Sequence, residues 1–311
     1  MLANEHLPVL PVETIQALAI QPGDLVLDCT FGRGGHSRLI LEKLGTTGRL
    51  LAFDRDPDAI ESDVAKELKQ DSRFQIEKNT LARLEAKITQ WGWHGKIAGI
   101  LMDLGLSSPQ LDRAERGFSF LKEGPLDMRM DVESGMTAAQ WLETVSERRL
   151  AEVLKTFGEE RNARKIARTI IEERGSRPIK TTLELSRLIR KAVPNPDPNK
   201  HHATRTFQAI RIFLNRELEE LTAGLEQAVN VLRPGGRLAV ISFHSLEDRI
   251  VKRFIREQSR GGSFPPGMPV QSAAYHPKLK ALGRALRPDQ QEISMNPRAR
   301  SAILRSAERV A

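Results

Sequence analysis

The sequence of 311 residues contains a single cysteine, Cys29, and aromatic residues make up only 5% of it. One cysteine cannot form an intrachain disulfide, and it excludes a zinc site built mainly from cysteines. No apolar run reaches about 18 residues, the length that a membrane-spanning helix needs. The N-terminal stretch MLANEHLPVL lacks the basic and then apolar order of a secretory signal. Together these absences predict a cytoplasmic protein without a membrane partner.

Several motifs of common enzyme classes are also missing. The chain contains no G-x-x-x-x-G-K-[ST], so a P-loop is not expected. It contains neither H-E-x-x-H nor G-x-S-x-G, and SFHS at 242–245 is therefore interpreted as strand-end packing and not as a nucleophile with its base. Adjacent histidines such as His201 and His202 are expected to point their side chains apart, so we expect no metal site.

Positive charge is abundant and unevenly placed. The net charge is +8. Residues 187–216 contain seven Lys and Arg residues and one acidic residue, and residues 249–311 contain thirteen Lys and Arg residues and four acidic residues. In residues 28–103 the two signs of charge are close to balanced. Because the excess is concentrated, we interpret these stretches as a surface for RNA phosphates, although solvated helix faces would have the same composition.

The first third of the chain alternates strand and helix patterns. Nearly continuous apolar strands that alternate with helices are typical of a parallel sheet covered on both faces, which is an α/β fold. Strands are predicted at 25–29, 49–54, 73–78 and 97–105, and helices at 37–44, 57–69 and 81–91.

This alternation is interrupted and then resumes. Residues 111–202 show four short helical patterns and no convincing strand, and they end in the proline-rich segment PNPDPNKHH. A long helix (207–232), a strand (237–243), a basic helix (246–258) and a last strand (301–310) follow, with an irregular Pro/Gly-rich segment at 259–300. We therefore predict a discontinuous core, 1–110 and 203–311, with a helical insertion at 111–202 for substrate recognition.

The turn DCTFGRGGHS, residues 28–37, indicates a ligand close to the backbone. The dinucleotide pattern G-x-G-x-x-G fails because Ser37 stands at its third glycine. Asp28 ends the strand before the turn, and a carboxylate repels a pyrophosphate but attracts the sulfonium and ammonium of S-adenosylmethionine. Asp54 ends the second strand, where an acid accepts hydrogen bonds from a ribose. In the alternative interpretation the glycines only permit tight packing and Asp54 caps the next helix.

The stretch DLGLSSPQL, residues 103–111, follows the fourth strand. In open α/β sheets ligands lie at the carboxyl ends of strands, so this loop should face the glycine-rich turn. Ser108 and Pro109 match part of the [DNS]-P-P-[YFW] loop of enzymes that methylate exocyclic amines, whereas Gln110 and Leu111 do not. By itself Ser-Pro is also a common start of a turn.

Longer blocks carry a family resemblance. TFGRGGHS, DRDP, DLGLSSPQLD, RGFSF, GPLDMRMD, TRTFQAIRI, RPGGRLAVISFHSLEDRIVKRF and NPRARSAILR occur in this order. From about residue 5 to 310 the chain resembles the bacterial RsmH (MraW) family, S-adenosylmethionine-dependent methyltransferases of N4 of cytosine 1402 in 16S ribosomal RNA. The resemblance implies a class I (Rossmann-like) methyltransferase core with a helical insertion. It also implies S-adenosyl-L-methionine as methyl donor and 16S rRNA in the small ribosomal subunit as partner; DNA is not expected, and a homodimer remains open.

The resemblance also implies the roles of individual residues. Gly34, Gly35 and His36 would meet the methionine end of the donor, and Asp54 would meet its ribose. Leu81 would flank the adenine, although relatives often have Phe there, and an aliphatic side chain cannot stack. Asp103 and Gln110 would lie between donor and target. The catalytic candidates are Asp103, Ser108 and Pro109, and either Asp103 or solvent would take the proton.

Two other functions remain to be weighed. A non-catalytic RNA-binding assembly factor could keep the fold with a vestigial donor pocket, but the acids Asp54 and Asp103 and the Ser108-Pro109 pair are intact. A nicotinamide dehydrogenase is disfavoured by Ser37 and Asp28. Phe118 and Phe120, in RGFSF, would either stack on an extruded base or pack in the core.

Overall fold

The computed structural model of the protein describes residues 7–193, 201–260 and 276–310. Contacts divide the chain into two units, one of residues up to Gly105 with those from Leu218, and one of Leu106–Glu217. The second unit is longer than the predicted insertion of 111–202, because the helix that follows residue 203 packs into the core of the second unit. The proline-rich segment at 194–200 and residues 261–275 of the segment expected to be irregular at 259–300 lie outside the described residues.

The first unit contains a seven-stranded sheet in the order β3-β2-β1-β4-β5-β7-β6. β1 to β5 are parallel, while β7 runs antiparallel to both β5 and β6. The order reverses between β1 and β4, which in doubly wound sheets is where ligands bind. This is the predicted α/β fold, with a doubly wound sheet that is parallel from β1 to β5. The strands are β1 Leu25–Asp28, β2 Arg49–Asp54, β3 Phe74–Lys78, β4 Ile97–Asp103, β5 Leu232–Ser242, β6 Leu279–Ala281 and β7 Ile303–Arg309.

Both faces of the sheet are covered, as the continuous apolar strands predict. Successive strand residues point to opposite faces. Val26 therefore joins one apolar cluster, with helices near the N-terminus, and Leu27 joins the other, with helices that precede and follow β5. The helices of this unit are α1 Pro11–Leu18, α2 Gly35–Lys43, α3 Pro57–Ile60, α4 Asp63–Leu68, α5 Leu84–Gln90, α12 Glu217–Val231, α13 Ser245–Ser259 and α14 Gln290–Met295.

The second unit is helical and has its own apolar core. The four predicted helices are confirmed, and capping side chains explain where three of them begin: Thr137, Ser146 and Thr181 each accept a backbone N–H of the following helix. Asn215 ties the end of the last helix to the preceding loop, accepting from Met130 N and donating to Met128 O. The helices are α6 Ser108–Asp112, α7 Ala138–Thr144, α8 Glu147–Gly158, α9 Ala163–Arg174, α10 Thr182–Ala192 and α11 Thr204–Asn215.

Three sequence-based expectations need correction. The helix predicted at 207–232 is two helices, because Arg216 adopts a left-handed conformation (φ 51°) between α11 and α12. The helix predicted at 57–69 is divided by the Ser62 cap that begins α4. The part of 259–300 that is described is ordered into β6, α14 and a 3₁₀ helix, Pro297–Ser301. Among the described residues, no helix combines the length and the hydropathy needed to span a bilayer.

Candidate active site

The carboxylate of Asp28 lies buried where β1 enters the glycine-rich turn. Its Oδ2 accepts from the hydroxyl of Ser37 at 2.7 Å and its Oδ1 from the backbone N–H of Thr30 at 3.1 Å. Burial raises the pKa of Asp28 to about 6 despite these two hydrogen bonds. Asp28 therefore holds the turn in place and contributes negative charge beneath it.

The turn needs glycine at position 34 for two reasons. Gly34 has φ 72°, a left-handed conformation, and it is the N-cap of α2. A Cβ at this position would lie 2.8 Å from Cζ of Phe31 and 3.0 Å from Cγ1 of Val64. Gly35 is less constrained, since its Cβ would meet the ring of Pro8 at 3.2 Å. Glycine at position 34 thus permits the turn to pack tightly against Phe31 and Val64.

Asp54, at the end of β2, orients the same turn. Its Oδ2 accepts from Gly32 N at 2.8 Å and its Oδ1 from Asp56 N at 2.9 Å. Burial raises the pKa of Asp54 to about 6, against the lowering effect of these hydrogen bonds. The helix α3 is capped by Asp56 and not by Asp54, so the alternative capping role is wrong.

Asp103 ends β4, the strand next to β1. Its backbone N–H donates to Oγ1 of Thr30 at 2.6 Å, and its Oδ2 lies 3.5 Å from Nδ1 of His36. The side chain keeps 24% of its exposure, yet Oδ1 is sealed from solvent and has no hydrogen-bond partner among the described residues. Burial, followed by the charges of Asp28 and Glu247, raises the pKa of Asp103 well above its usual value.

His36 connects the turn to the N-terminal segment. Its Nε2 lies 2.9 Å from the carbonyl oxygen of Val9, and the ring is buried. Because a carbonyl only accepts, Nε2 carries the hydrogen in this contact. The other ring nitrogen therefore faces Asp103.

Glu247 adds a further acid. It lies in the first turn of α13 and is almost fully buried, and its Oε2 accepts from the backbone N–H of Phe243 at 2.9 Å. His244, within SFHS, is the N-cap of α13 and accepts from Glu247 N at 3.4 Å. It caps a helix and does not form the base of a serine nucleophile.

This set of acids fits S-adenosylmethionine. Asp28, Asp54 and Asp103 stand at the carboxyl ends of β1, β2 and β4, next to the glycine-rich turn that leads into α2. Buried carboxylates with raised pKa values, one of them with an unpartnered oxygen, gain from a cationic ligand and would be disfavoured by a pyrophosphate. The donor brings the sulfonium and ammonium charges that match them.

Leu81 begins a 3₁₀ helix, Leu81–Arg83, after β3, and it packs on α12. A Cβ on Gly224 would lie 2.7 Å from Cβ of Leu81, so the glycine allows this close approach. The neighbouring backbone is held by α12 as well, because Ala82 N donates to Glu220 and Ala82 O accepts from Gln227. Leu81 is half-buried, which leaves an aliphatic surface at the end of β3.

Ser108, Pro109 and Gln110 are in the helical unit, at the start of α6. Ser108 and Pro109 are half-buried, and Gln110 is buried. The Oε1 of Gln110 accepts from Ser107 N at 2.9 Å, as in a capping box. The structure thus gives Gln110 a helix-capping contact, while Gly34, His36, Asp54 and Asp103 belong to the first unit, where His36 and Asp103 contact each other.

Sequence reasoning missed three residues around this pair. Thr30, Val9 and Glu247 contact or influence Asp103 and His36. Thr30 lay within the recognised turn, but only the strand pairing shows that its hydroxyl meets the end of β4. Glu247 belongs to a capping-box pattern, His-x-x-Glu, which indicates a helix start and nothing about a site 144 positions away in the chain.

Comparisons with known proteins point to one family. The profile of the MraW methylase family matches residues 3–310. A ribosomal RNA small subunit methyltransferase H of Pseudoalteromonas atlantica is 54% identical over 98% of this chain and 98% of its own length. The protein of the same name from Shewanella denitrificans is 54% identical over 98% of this chain and 97% of its own. Among solved structures, a SAM-dependent O-methyltransferase of Thermotoga maritima aligns with 99% of this chain and 68% of its own, with 10% identity and a TM-score of 0.42.

Proposed function

Because the chain belongs to the MraW methylase family and is an S-adenosylmethionine-dependent methyltransferase, we propose that it methylates the exocyclic N4 of cytosine 1402 in 16S rRNA of the small ribosomal subunit. The observation that carries the substrate class is the 54% identity, over nearly the whole length of both chains, with proteins named for small subunit rRNA methylation. The choice of N4 and of this cytosine rests on the motif resemblance and on the acceptor chemistry discussed below.

In this proposal the first unit binds the donor. Gly35 offers its backbone N–H to the carboxylate of the methionine end, because it opens α2, where such groups have no helical partner. Gly34, whose own N–H donates to Phe31 O at 2.7 Å, provides the left-handed bend that places Gly35 there. His36 and Asp103 lie beside that end, and Asp54 accepts hydrogen bonds from the ribose. Leu81 supplies an apolar wall for the adenine. When bound, the donor supplies an electrophilic methyl group on a positively charged sulfur.

The acceptor nitrogen needs a different set of groups. The lone pair of an exocyclic amine is delocalised into the base, so the amine is a poor nucleophile. Oxygen atoms that accept hydrogen bonds from its N–H groups localise the lone pair toward the methyl group, and the oxygens of Ser108 and Asp103 are the candidates. Pro109 restricts the backbone beside Ser108 at the first turn of α6. Asp103, once ionised, accepts the proton that the methylated nitrogen loses.

The helical unit is proposed to bind the RNA. Exposed cations follow one face of α10, namely Arg187, Arg190 and Lys191. Arg–phosphate contacts position an RNA without reading its sequence. This assignment extends the predicted role of residues 111–202 to the unit that includes α11.

The alternative of a non-catalytic assembly factor is not favoured. A vestigial pocket would have no need to keep Asp28, Asp54 and Asp103 buried near one another. Burial raises the pKa of each carboxyl, and ionising these buried groups at neutral pH lowers the stability of the folded protein. A functioning donor site recovers that cost when a cation binds.

The experiment uses small subunits from cells that lack this methylation. Incubation with the protein and methyl-labelled donor, then nuclease digestion and mass spectrometry, should give N4-methylcytidine in the fragment that contains cytosine 1402. Asp103→Asn serves as the inactive control. Methyl on a ring carbon, on a ribose hydroxyl or at another cytosine would contradict the proposal.

A further inference from the structure

The segment that precedes α1, residues 7–10, packs on the start of α2, where the glycine-rich turn ends. A Cβ on Gly35 would lie 3.2 Å from Cβ and Cδ of Pro8, so the segment lies directly against the first residue of α2. The next residue, Val9, is only 5% exposed, and its carbonyl oxygen lies 2.9 Å from Nε2 of His36. The segment therefore contacts both the turn and the histidine of the proposed donor site.

The backbone of this segment is strained at Leu10. Leu10 has φ 49° and ψ 50°, a left-handed conformation that a residue with a Cβ rarely adopts. It is the N-cap of α1, yet leucine has no polar side chain with which to cap a helix. Strained residues persist only where their surroundings hold them, and they are concentrated at functional sites. A contact from outside the segment is therefore expected at Leu10.

That contact comes from Glu292, 282 positions later in the chain. Its Oε1 accepts from the backbone N–H of Leu10 at 2.7 Å. Glu292 lies in α14 and is half-buried. At the end of the same helix, Nδ2 of Asn296 donates to the carbonyl oxygen of Leu7 at 3.2 Å. The helix α14 thus holds the segment at both of its ends.

The orientation of His36 depends on this anchor. The hydrogen bond from Nε2 to the carbonyl of Val9 holds the ring so that its other nitrogen, Nδ1, lies 3.5 Å from Oδ2 of Asp103. A ring that loses the Val9 carbonyl is free to turn. A donor that binds beside such a ring has to order it first, and this ordering lowers the affinity.

We propose that Glu292 is a positioning residue for the donor site, because it fixes Leu10 and, through Val9, orients His36. It acts through the backbone of residues 7–10 and not on the reacting atoms. This inference rests on the proposed place of His36 beside the methionine end of the donor. It gives α14, which is remote in sequence from the glycine-rich turn, a part in donor binding.

The test measures the affinity of the full-length protein for S-adenosylmethionine by calorimetry, without RNA. Glu292→Ala should weaken binding about tenfold, the factor that corresponds to one hydrogen bond. Glu292→Gln should restore most of the affinity, since its amide oxygen can still accept from the N–H of Leu10. Glu184→Ala is the matched control, because Glu184 is also half-buried and accepts a backbone N–H, that of Thr181 at 3.0 Å, but in the helical unit. This control should bind the donor like the parent.

A second background separates positioning from a general loss of stability. His36→Ala alone should weaken donor binding. In the His36→Ala protein, adding Glu292→Ala should weaken donor binding by less than about twofold, because no ring is left to orient. An equal loss in both backgrounds would overturn the proposal, since Glu292 would then act on the fold and not through His36.

The single variants distinguish this inference from the proposals on which it rests. Parent-like affinity of Glu292→Ala beside a weakened His36→Ala protein would overturn the role of Glu292 alone. Parent-like affinity of both would overturn it and also remove His36 from the donor site. Since the assay contains no RNA and detects no methyl transfer, absence of methylation at N4 of cytosine would contradict the proposed function and leave this result standing.

Discussion

Oδ2 of Asp103 and Nδ1 of His36 lie 3.5 Å apart, and both are acceptors when Asp103 is ionised and His36 is neutral. The second nitrogen of His36 donates to Val9 O, so it cannot relieve this contact. A proton held by one of the two groups would relieve this contact. Burial, and then the charges of Asp28 and Glu247, raises the pKa of Asp103 well above its usual value, which places that proton on the carboxyl.

Donor binding should therefore release protons. A cation beside Asp103 lowers the pKa of this carboxyl, so the donor binds its ionised form better and affinity rises with pH until the free carboxyl is ionised. Calorimetry in buffers of different ionisation enthalpy should show fewer protons released by Asp103→Asn than by the parent. S-adenosylhomocysteine, which lacks the sulfonium charge, should release fewer protons than the donor. Asp28 and Asp54, with pKa values of about 6, contribute in both proteins. Equal proton release by variant and parent would show that Asp103 is not protonated before the donor binds.

Asp54→Ala should weaken donor binding by about 1.5–3 kcal/mol, the usual cost of hydrogen bonds to a charged acceptor. Part of the loss comes from Gly32, whose N–H loses its acceptor in the turn. Asp63→Ala is the control, because Asp63 is an exposed acid at the start of α4. Isothermal calorimetry measures both. If a folded Asp54→Ala protein bound the donor as tightly as the parent does, Asp54 would not belong to the donor site.

Gly34→Ala should destabilise the folded protein more than Gly92→Ala does. Both glycines have left-handed backbones, φ 72° and 68°, so both variants pay roughly 1–2 kcal/mol for the conformation. Only at position 34 would the new Cβ meet other atoms, the ring of Phe31 at 2.8 Å; nothing lies within 4 Å at position 92. The added crowding should cost about 1–3 kcal/mol more.

The urea midpoint of unfolding measures this difference, and donor affinity should fall in the Gly34 variant alone. Equal midpoints for the two variants would mean that the turn relaxes away from Phe31 without cost.

The core fold followed from the sequence because its signals are local. Apolar runs that alternate with helices specify a parallel sheet, and the caps at Thr137, Ser146 and Thr181 stand next to the helices that they begin. The break at Arg216 carries no such signal: neither glycine nor proline is present, and helical periodicity continues through it. Asn215 instead bonds to a loop 85 and 87 residues earlier, and such a contact has no local pattern.

The candidate site divides in the same way. Asp28, Asp54 and Asp103 could be proposed from the sequence because each follows a recognisable strand. The Thr30 hydroxyl, the Val9 carbonyl and Glu247 could not, because strand order and helix packing bring them to Asp103 and His36. Phe120 is half-buried and stacks on His201, 81 positions away in the chain, whereas Phe118 is buried in the core, a difference that the sequence left open.

Replacing Arg187, Arg190 and Lys191 of α10 with Gln should weaken RNA binding and reduce its salt dependence. Each lost phosphate contact should reduce the slope of log affinity against log salt by roughly one unit. Donor affinity should not change, because these cations lie outside the first unit. Lys66, Lys69 and Arg83, exposed in the first unit, provide a control triple with the same charge change. Coincident salt titrations for the α10 variant and the parent would show that this face is only solvated.

Ser108→Ala should lower turnover and leave donor affinity unchanged. Ser108 is the first residue of α6 and half-buried, and in the proposal its oxygen accepts an N–H of the target amine. Loss of one such hydrogen bond, about 1.4 kcal/mol, corresponds to roughly a tenfold fall in kcat. Ser134→Ala, at an exposed serine of the same unit, should have the parent's kcat.

The acceptor atom itself gives the sharpest form of this prediction. Small subunits in which uridine replaces cytosine 1402 should accept no methyl group from the parent protein or from Ser108→Ala. Uridine carries O4 where cytosine carries its amine, so it has neither an N–H to be held nor a nitrogen to be methylated. Moving a base out of its stack costs a few kcal/mol. Because the intact subunit presents the base in a defined position, it should be methylated faster than a short free RNA. If Ser108→Ala lowered donor affinity and turnover together, Ser108 would belong to the donor site. If the uridine subunit were methylated at the same position, an amine could not be the acceptor.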